Sequence, residues 1–180
     1  MYEIEVKVKI PHAGIKEDLI QNGAVFTGAE DQSDIYFNSP TRDFAKTDEA
    51  LRIRSVNGEG EITYKGKKID TVSKTRPEYN SPVDPIEMKE ILLALGYFVS
   101  GAVIKRREIY EWDGFIIGLD TVEGLGEFVE VESVLRDADD KASIDKEVCR
   151  IFEFLNKYGI SEQDSITTSY LELVLKNQNE

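Results

Sequence analysis

Residues 2–10 read YEIEVKVKI and alternate strictly between apolar and charged side chains. Successive side chains of a strand point to opposite faces, so this period of two predicts a β-strand with one apolar and one charged face. The charged face carries Glu3, Glu5, Lys7 and Lys9. The apolar face must be buried, and the charged face must then meet either water or an enclosed polar space.

Like charges also recur two residues apart in other strand-like segments. On one strand face they repel each other, at a cost of roughly 0.2–1 kcal/mol per cross-strand contact unless a counter-charge or ligand offsets it. Any single pair fits a solvated sheet face, since charged side chains are usually exposed. Their repetition favours one shared charged cavity. The pairs are Glu3/Glu5, Arg52/Arg54, Lys65/Lys67, Lys105/Arg107 and Glu130/Glu132.

The rest of the chain predicts an α+β protein of one domain, residues 1–180, with a largely antiparallel sheet. Asn57-Gly58 and Asp113-Gly114 are hairpin signals. In an open sheet the charged faces would meet water, whereas in a closed barrel they would line the interior. Further strands are expected at 33–38, 50–56, 61–67, 75–80, 102–112, 115–122 and 127–134, helices at 14–22, 84–95 and 141–158, a loop at 39–49, and a short helix or strand at 168–176.

Composition excludes several classes of function. The net charge is −13, from 22 Lys and Arg against 35 Asp and Glu, which argues against binding nucleic acid or an acidic membrane surface. Cys149 and His12 are each the only residue of their type, so a Cys/His zinc cluster is excluded and any metal site must use carboxylates. Apolar runs are too short to span a bilayer, and residues 1–5 do not resemble a signal peptide, so a cytoplasmic protein is expected.

The paired charges fit a ligand that carries several phosphates. Arginine offers a planar fork that binds two oxygens at once, and lysine supplies a compact charge. Glutamates suit Mg²⁺ or Mn²⁺, hard cations that also bridge to phosphate oxygens. The candidate phosphate ligands are Arg52, Arg54, Lys65, Lys67, Lys105 and Arg107, and the candidate metal ligands are Glu3, Glu5, Glu130 and Glu132, which Asp120 could join.

An ordered set of motifs resembles the CYTH family along nearly the whole chain. Glu3-Ile4-Glu5-Val6-Lys7 is the E-x-E-x-K signature with which these proteins open. The motifs that follow it in order are Asp34 to Asn38, Arg42-Asp43-Phe44, Glu49 to Arg54, Thr63-Tyr64-Lys65-Gly66, Arg76-Pro77-Glu78, Lys105-Arg106-Arg107, Leu119-Asp120, Gly124 to Glu132 and Ser169-Tyr170-Leu171-Glu172.

The resemblance implies a closed, eight-stranded antiparallel β-barrel, the triphosphate tunnel, with helices packed on the outside. It also implies that the glutamates of the two Glu-x-Glu pairs hold Mg²⁺ or Mn²⁺ and that the basic residues hold phosphates. Four further residues carry over as tunnel residues, of which Lys7, Arg76 and Asp120 are expected to act in catalysis and Glu78 has no assigned role.

Within the family, the chain looks most like the class IV adenylyl cyclases, the CyaB-like branch. The similar segments are Tyr36-Phe37-Asn38, Arg42-Asp43-Phe44 and Gly124 to Phe128, which are expected to shape the tunnel mouth. The favoured substrate is therefore ATP, converted to cyclic AMP and pyrophosphate. Two alternatives stay open: a triphosphatase acting on tripolyphosphate, thiamine triphosphate or nucleoside triphosphates, and a non-catalytic module that binds polyphosphate or nucleotide. A homodimer is also left open.

Overall fold

A computed structural model of the protein describes residues 2–68, 76–135 and 141–178, with the backbone alone for Tyr2, Glu3, Leu135 and Lys141. None of the described helices is both long and apolar enough to cross a membrane. The strands are β1 Tyr2–Val8, β2 Val25–Asn38, β3 Ala50–Val56, β4 Glu59–Lys65, β5 Glu78–Val83, β6 Phe98–Trp112, β7 Phe115–Val122 and β8 Gly126–Leu135. The helices are α1 His12–Gln21, α2 Phe44–Thr47, α3 Pro85–Ala94, α4 Lys141–Leu155 and α5 Tyr170–Gln178, and two short 3₁₀ helices follow α4 at Asn156–Tyr158 and Glu162–Asp164.

The eight strands found in the described residues form one antiparallel sheet in the order β1-β8-β7-β6-β2-β3-β4-β5. The two hairpin signals are confirmed: Asn57 and Asp113 have positive φ angles of 52° and 49°, and each precedes a glycine that also has a positive φ. The sheet is strongly curled. Its two outermost strands, β1 and β5, place Glu5 and Glu78 on the wall of the same cavity.

The alternation of residues 2–10 fixes the two faces of the sheet as expected. Ile4, Val6 and Val8 are fully buried in the main core, on the convex side. That core also holds apolar side chains of β7 and β8 and the apolar stripes of α1 and α4. A second cluster on the same side joins β3 and β4 to Leu92 of α3. The intervening charged residues therefore face the concave side.

The expected closed barrel is not confirmed. Within the described residues, β1 pairs only with β8 and β5 only with β4, so the curled sheet remains open between its two edge strands. Pro82 lies in β5, where an edge position tolerates a residue without a backbone donor. The confirmed architecture is an eight-stranded, curled antiparallel sheet with helices.

Several element boundaries differ from the sequence prediction. β2 begins at Val25 rather than residue 33, because its first half pairs with the long strand β6 although residues 25–32 show no apolar alternation. Likewise β6 begins at Phe98. A short helix, α2, interrupts the predicted loop 39–49, and Asp43 caps it by accepting from the backbone N of Ala45. The ambiguous segment 168–176 is mainly helical.

Candidate active site

A cavity of about 360 Å³ lies on the concave side of the sheet. Its walls are formed by residues of β1–β6 and β8, by α2 and the turn that follows it, and by the first turns of α5. This volume lies within the range of typical small-ligand sites. Ten of the fourteen charged residues that the sequence singled out line it: Glu5, Arg52, Arg54, Lys65, Arg76, Glu78, Lys105, Arg107, Glu130 and Glu132.

Three carboxylates meet at one side of this cavity. Glu5, Glu130 and Glu132 each offer an oxygen, and the three oxygens lie within 4.8 Å of one another. Glu5 stands opposite Glu132 in the β1–β8 ladder, which brings the two Glu-x-Glu motifs together. Burial, reinforced by the charges of the other two glutamates and opposed by Arg107, raises the pKa of Glu132. Such mutual repulsion among oxygen donors fits a site for a hard divalent cation. Glu3 lies in β1, but its side chain is outside the described part of the structure.

Arg107 on β6 connects this carboxylate cluster to the rest of the site. Its Nη1 lies 2.9 Å from Glu132, its Nη2 also donates to Glu130, and its Nε and Nη2 each lie 2.7 Å from Asp120. Gly118 makes this arrangement possible, since a Cβ there would lie 3.0 Å from the guanidinium carbon. A guanidinium bound to three carboxylates keeps the cluster from carrying its full negative charge.

Asp120 lies behind the cations rather than on the cavity wall. It is completely buried, accepts from Lys105 Nζ at 2.8 Å and from the Tyr170 hydroxyl at 2.9 Å, and does not line the cavity. Lys7 is equally buried; its Nζ donates to the carbonyl of Thr168 and lies 4.1 Å from the centre of the Tyr170 ring. The geometry thus favours a supporting position for Lys7 and Asp120 over the catalytic roles expected from sequence.

Asp34 on β2 binds the two arginines of β3, Arg52 and Arg54. Arg54 binds both of its carboxylate oxygens, at 2.7 and 2.8 Å, and Arg52 lies 3.6 Å away. Burial alone would raise the pKa of Asp34, but the hydrogen bonds from Arg54 and the charge of Arg52 outweigh it, so the pKa is lowered. Arg52 Nε is shielded from water and has no hydrogen-bond partner among the described residues, a donor that a phosphate oxygen could satisfy.

Of the predicted phosphate ligands Lys65 and Lys67, only Lys65 lies on the cavity wall. Lys65 ends β4, lines the cavity and pairs with Glu78 at 2.6 Å. The expectation that Lys67 shares this face is wrong, because β4 ends at Lys65 and the chain then leaves the sheet. Lys67 is exposed and lies off the cavity wall, whereas the next residue, Lys68, lines the cavity.

Of the three segments expected to shape the tunnel mouth, the first two contribute residues to the cavity wall. Tyr36, Phe37, Asn38 and Phe44 line the cavity. The segment Gly124 to Phe128 does not: Phe128 is buried against Tyr170 with ring centres 5.1 Å apart, and the start of the segment borders a separate groove. The assignment of that segment to the mouth is therefore wrong.

The sequence analysis gave no role to several charged residues of the cavity wall, because these residues do not belong to the like-charge pairs on which it relied. Asp34 is the exception that the alternation could have found, since it faces the same side as Tyr36 and stands opposite Arg54 in the ladder. The cationic residues on the wall are Arg52, Arg54, Lys65, Lys68, Arg76, Lys105 and Arg107, and the acidic residues are Glu5, Asp34, Asp48, Glu49, Glu61, Glu78, Glu130, Glu132 and Glu172.

Among the described residues, the acidic groups on the wall thus outnumber the cations, nine to seven. A polyphosphate would enter a cavity whose formal charge is already slightly negative, so electrostatics favours binding together with divalent cations. The donor set and this charge balance both fit a divalent metal at Glu5, Glu130 and Glu132.

A pH dependence follows from Lys105. Burial, with the neighbouring charge of Arg107, lowers the pKa of Lys105 to about 8. Its ammonium form, which attracts phosphate, is therefore present below this pH and lost as pH rises through it. We expect the affinity for tripolyphosphate to fall from pH 7 to 9 in calorimetry, and Lys105→Arg to abolish most of this fall because arginine stays charged. If affinity falls equally with pH in the unsubstituted protein and in Lys105→Arg, the fall is not due to deprotonation of Lys105.

Comparison with known proteins gives consistent matches. The CYTH domain pattern matches residues 1–170. A protein of Methanocaldococcus jannaschii, whose name gives adenylate cyclase as a proposed activity, is 42% identical over 175 residues, covering 96% of this chain and 98% of that protein. Adenylate cyclase CyaB of Aeromonas hydrophila is 28% identical over 154 residues, covering 84% of this chain and 76% of that protein.

A solved structure of a Pyrococcus horikoshii OT3 protein superimposes with a TM-score of 0.86 at 39% identity, covering 97% of this chain and 98% of that chain. The family pattern and the M. jannaschii relative each extend over nearly all of the chain. The chain belongs to the CYTH family.

Proposed function

We propose that this protein is a divalent-metal-dependent enzyme acting on triphosphates, and that it converts ATP to cyclic AMP and pyrophosphate. One observation carries the proposal: three convergent carboxylates and a row of arginine and lysine side chains share a single cavity. Phosphate binding alone would need only the cations. The retention of Glu5, Glu130 and Glu132 therefore favours a metal-dependent reaction over a non-catalytic binding module.

Each group has a role in this proposal. Arg52, Arg54, Lys65, Lys105 and Arg107 bind and orient the phosphates. Asp34 holds Arg52 and Arg54, Glu78 holds Lys65, and Asp120 holds Lys105 and Arg107 from behind. Bound at Glu5, Glu130 and Glu132, Mg²⁺ or Mn²⁺ would neutralise phosphate charge and favour ionisation of the attacking hydroxyl.

The reaction itself needs no protein nucleophile. The ribose 3′-oxygen forms a bond to the α-phosphorus, the bond from that phosphorus to the oxygen bridging to the β-phosphate breaks, and the hydroxyl proton passes to solvent. Pyrophosphate leaves with the electron pair of the broken bond, and the cationic side chains stabilise its growing charge. Positioning and electrostatic stabilisation account for catalysis in this scheme.

ATP is favoured over tripolyphosphate for two reasons. The relatives from M. jannaschii and A. hydrophila carry adenylate cyclase in their names. In addition, apolar side chains including Phe37, Phe44 and Leu171 line part of the cavity, and these suit a nucleoside better than a phosphate. A triphosphatase would use the same phosphate ligands, with water attacking the γ-phosphorus.

Product analysis tests the proposal. Purified protein is incubated with ATP and Mg²⁺ or Mn²⁺, and products are separated by chromatography. We expect cyclic AMP and pyrophosphate in equal amounts, and no turnover after the metal is removed with a chelator. If the products are ADP and orthophosphate, or if tripolyphosphate is turned over much faster than ATP, the protein is a triphosphatase and not a cyclase. If the protein binds triphosphates but turns over none of them, it is a non-catalytic binding module.

A further inference from the structure

Lys68 occupies a fixed position on the cavity wall. Its Nζ lies 2.7 Å from Asp48 Oδ1, and its backbone N donates to Asp48 Oδ2 at 2.9 Å. One carboxylate therefore holds both the main chain and the ammonium group of this lysine. Its side chain keeps 21% of its surface exposed, so the ammonium group can still be reached by a ligand.

The backbone at Asp48 explains how its carboxylate reaches Lys68. Asp48 ends α2 in the left-handed conformation, with φ of 56°, and it too lines the cavity. Burial would raise the pKa of Asp48, but the side-chain and backbone hydrogen bonds from Lys68 outweigh it, so the pKa is lowered. The turn after α2 thus places an ionised carboxylate beside Lys68.

Glu172 of α5 lines the same cavity as Lys68. This carboxylate accepts from the backbone N and Oγ of Ser169, both at 2.7 Å, so it is engaged in capping its own helix. Burial raises the pKa of Glu172, but the hydrogen bonds from Ser169 and the charge of Lys68 outweigh it, so the pKa is lowered. Lys68 follows the end of β4 and shares the cavity wall with Asp48 of the α2–β3 turn and Glu172 of α5.

We propose that Lys68 is an additional phosphate-binding residue and that Asp48 is its positioning residue. The inference rests on the proposed binding of triphosphates. An ammonium group donates three hydrogen bonds, so Lys68 can keep its bond to Asp48 while binding a phosphate oxygen. The ligand is the phosphate chain itself, whichever group it carries at its other end.

Calorimetric titration with inorganic tripolyphosphate tests the proposal. We expect Lys68→Ala and Lys68→Gln to weaken binding about tenfold, because a charge-assisted hydrogen bond is lost. Lys68→Arg should bind within about threefold of the unsubstituted protein. The control is Lys46→Ala, which removes the same charge from nearby α2, where the side chain is 84% exposed and off the cavity wall; its affinity should not change.

Asp48→Gly separates positioning from simple charge. Glycine tolerates the positive φ, so the turn is kept without strain. If Asp48 acted only as a negative charge, its removal would tighten tripolyphosphate binding. We expect weaker binding, since Lys68 loses the carboxylate that orients it, and tighter binding would overturn the positioning role.

The outcomes distinguish this proposal from the proposed function. If the unsubstituted protein binds no tripolyphosphate either with or without Mg²⁺, both are wrong. If it binds and the folded Lys68→Ala and Lys68→Gln variants bind equally well, the Lys68 assignment is overturned while the proposed function stands. Thermal unfolding of each variant establishes that it is folded before titration.

Discussion

Replacing Glu130 with glutamine should reduce metal-dependent turnover by at least about 100-fold. The substitution preserves shape but removes one of the three anionic donors that meet in the cavity. Loss of a carboxylate ligand weakens metal binding and with it the stabilisation of phosphate charge. Initial rates at saturating ATP, measured across a range of Mg²⁺ or Mn²⁺ concentrations, give both the maximal rate and the metal dependence.

The same variant should keep its affinity for metal-free tripolyphosphate, or bind it more tightly, because a repulsive charge has gone. Arg52→Ala should instead weaken that binding clearly. Glu127→Gln is the matched control: it lies on the same strand, β8, but its side chain is 46% exposed and off the cavity wall. Full metal-dependent turnover by Glu130→Gln would remove this residue from the metal site.

Replacing Arg107 with methionine should lower the free energy of unfolding by about 3–5 kcal/mol and abolish measurable tripolyphosphate binding. Arg107 is buried and compensates Asp120, Glu130 and Glu132 at once. Removing one partner from a buried ionic cluster leaves uncompensated charge, which is the costly case. Urea unfolding followed by circular dichroism measures the loss of stability.

The neighbouring residue provides the control for Arg107. Arg106 points to the other face of β6, where it is 56% exposed and lies 3.1 Å from Asp31. Arg106→Met should change stability by less than about 1 kcal/mol, since exposed ion pairs contribute little. Adding Asp120→Asn to Arg107→Met should restore part of the stability but none of the binding. If the Arg106 and Arg107 variants lose equal amounts of unfolding free energy, Arg107 does not stabilise the buried carboxylates as described.

The inward-facing charges could be predicted from sequence because the period of two fixes the face of each strand residue. Glu5, Arg52, Arg107 and Glu130 all lie where that period places them, on the concave side. The local pattern could not predict where a strand stops. Lys67 continues the alternation of β4 in sequence but not in space, because the ladder with β3 ends at Ala50 and Lys65.

Depth within the cavity was also beyond the reach of the sequence pattern. Alternation assigns Asp120 and Lys7 to the correct face, but their burial depends on the curl of the sheet and on Tyr170, which packs over them from α5. These are contacts between residues about 50 and 160 positions apart, which no local period encodes. Closure of the barrel is likewise a long-range property, and the described strands leave β1 and β5 unpaired with each other.

The central claim is that one cavity holds both a divalent cation and a triphosphate, and anomalous diffraction tests it most directly. Crystals are grown with Mn²⁺ and tripolyphosphate, and data are collected near the manganese absorption edge. The account predicts an anomalous peak within coordination distance of Glu5, Glu130 and Glu132, and a phosphate chain in contact with Arg52 and Arg107. A manganese ion away from these three carboxylates, or a phosphate chain outside the cavity, would contradict it.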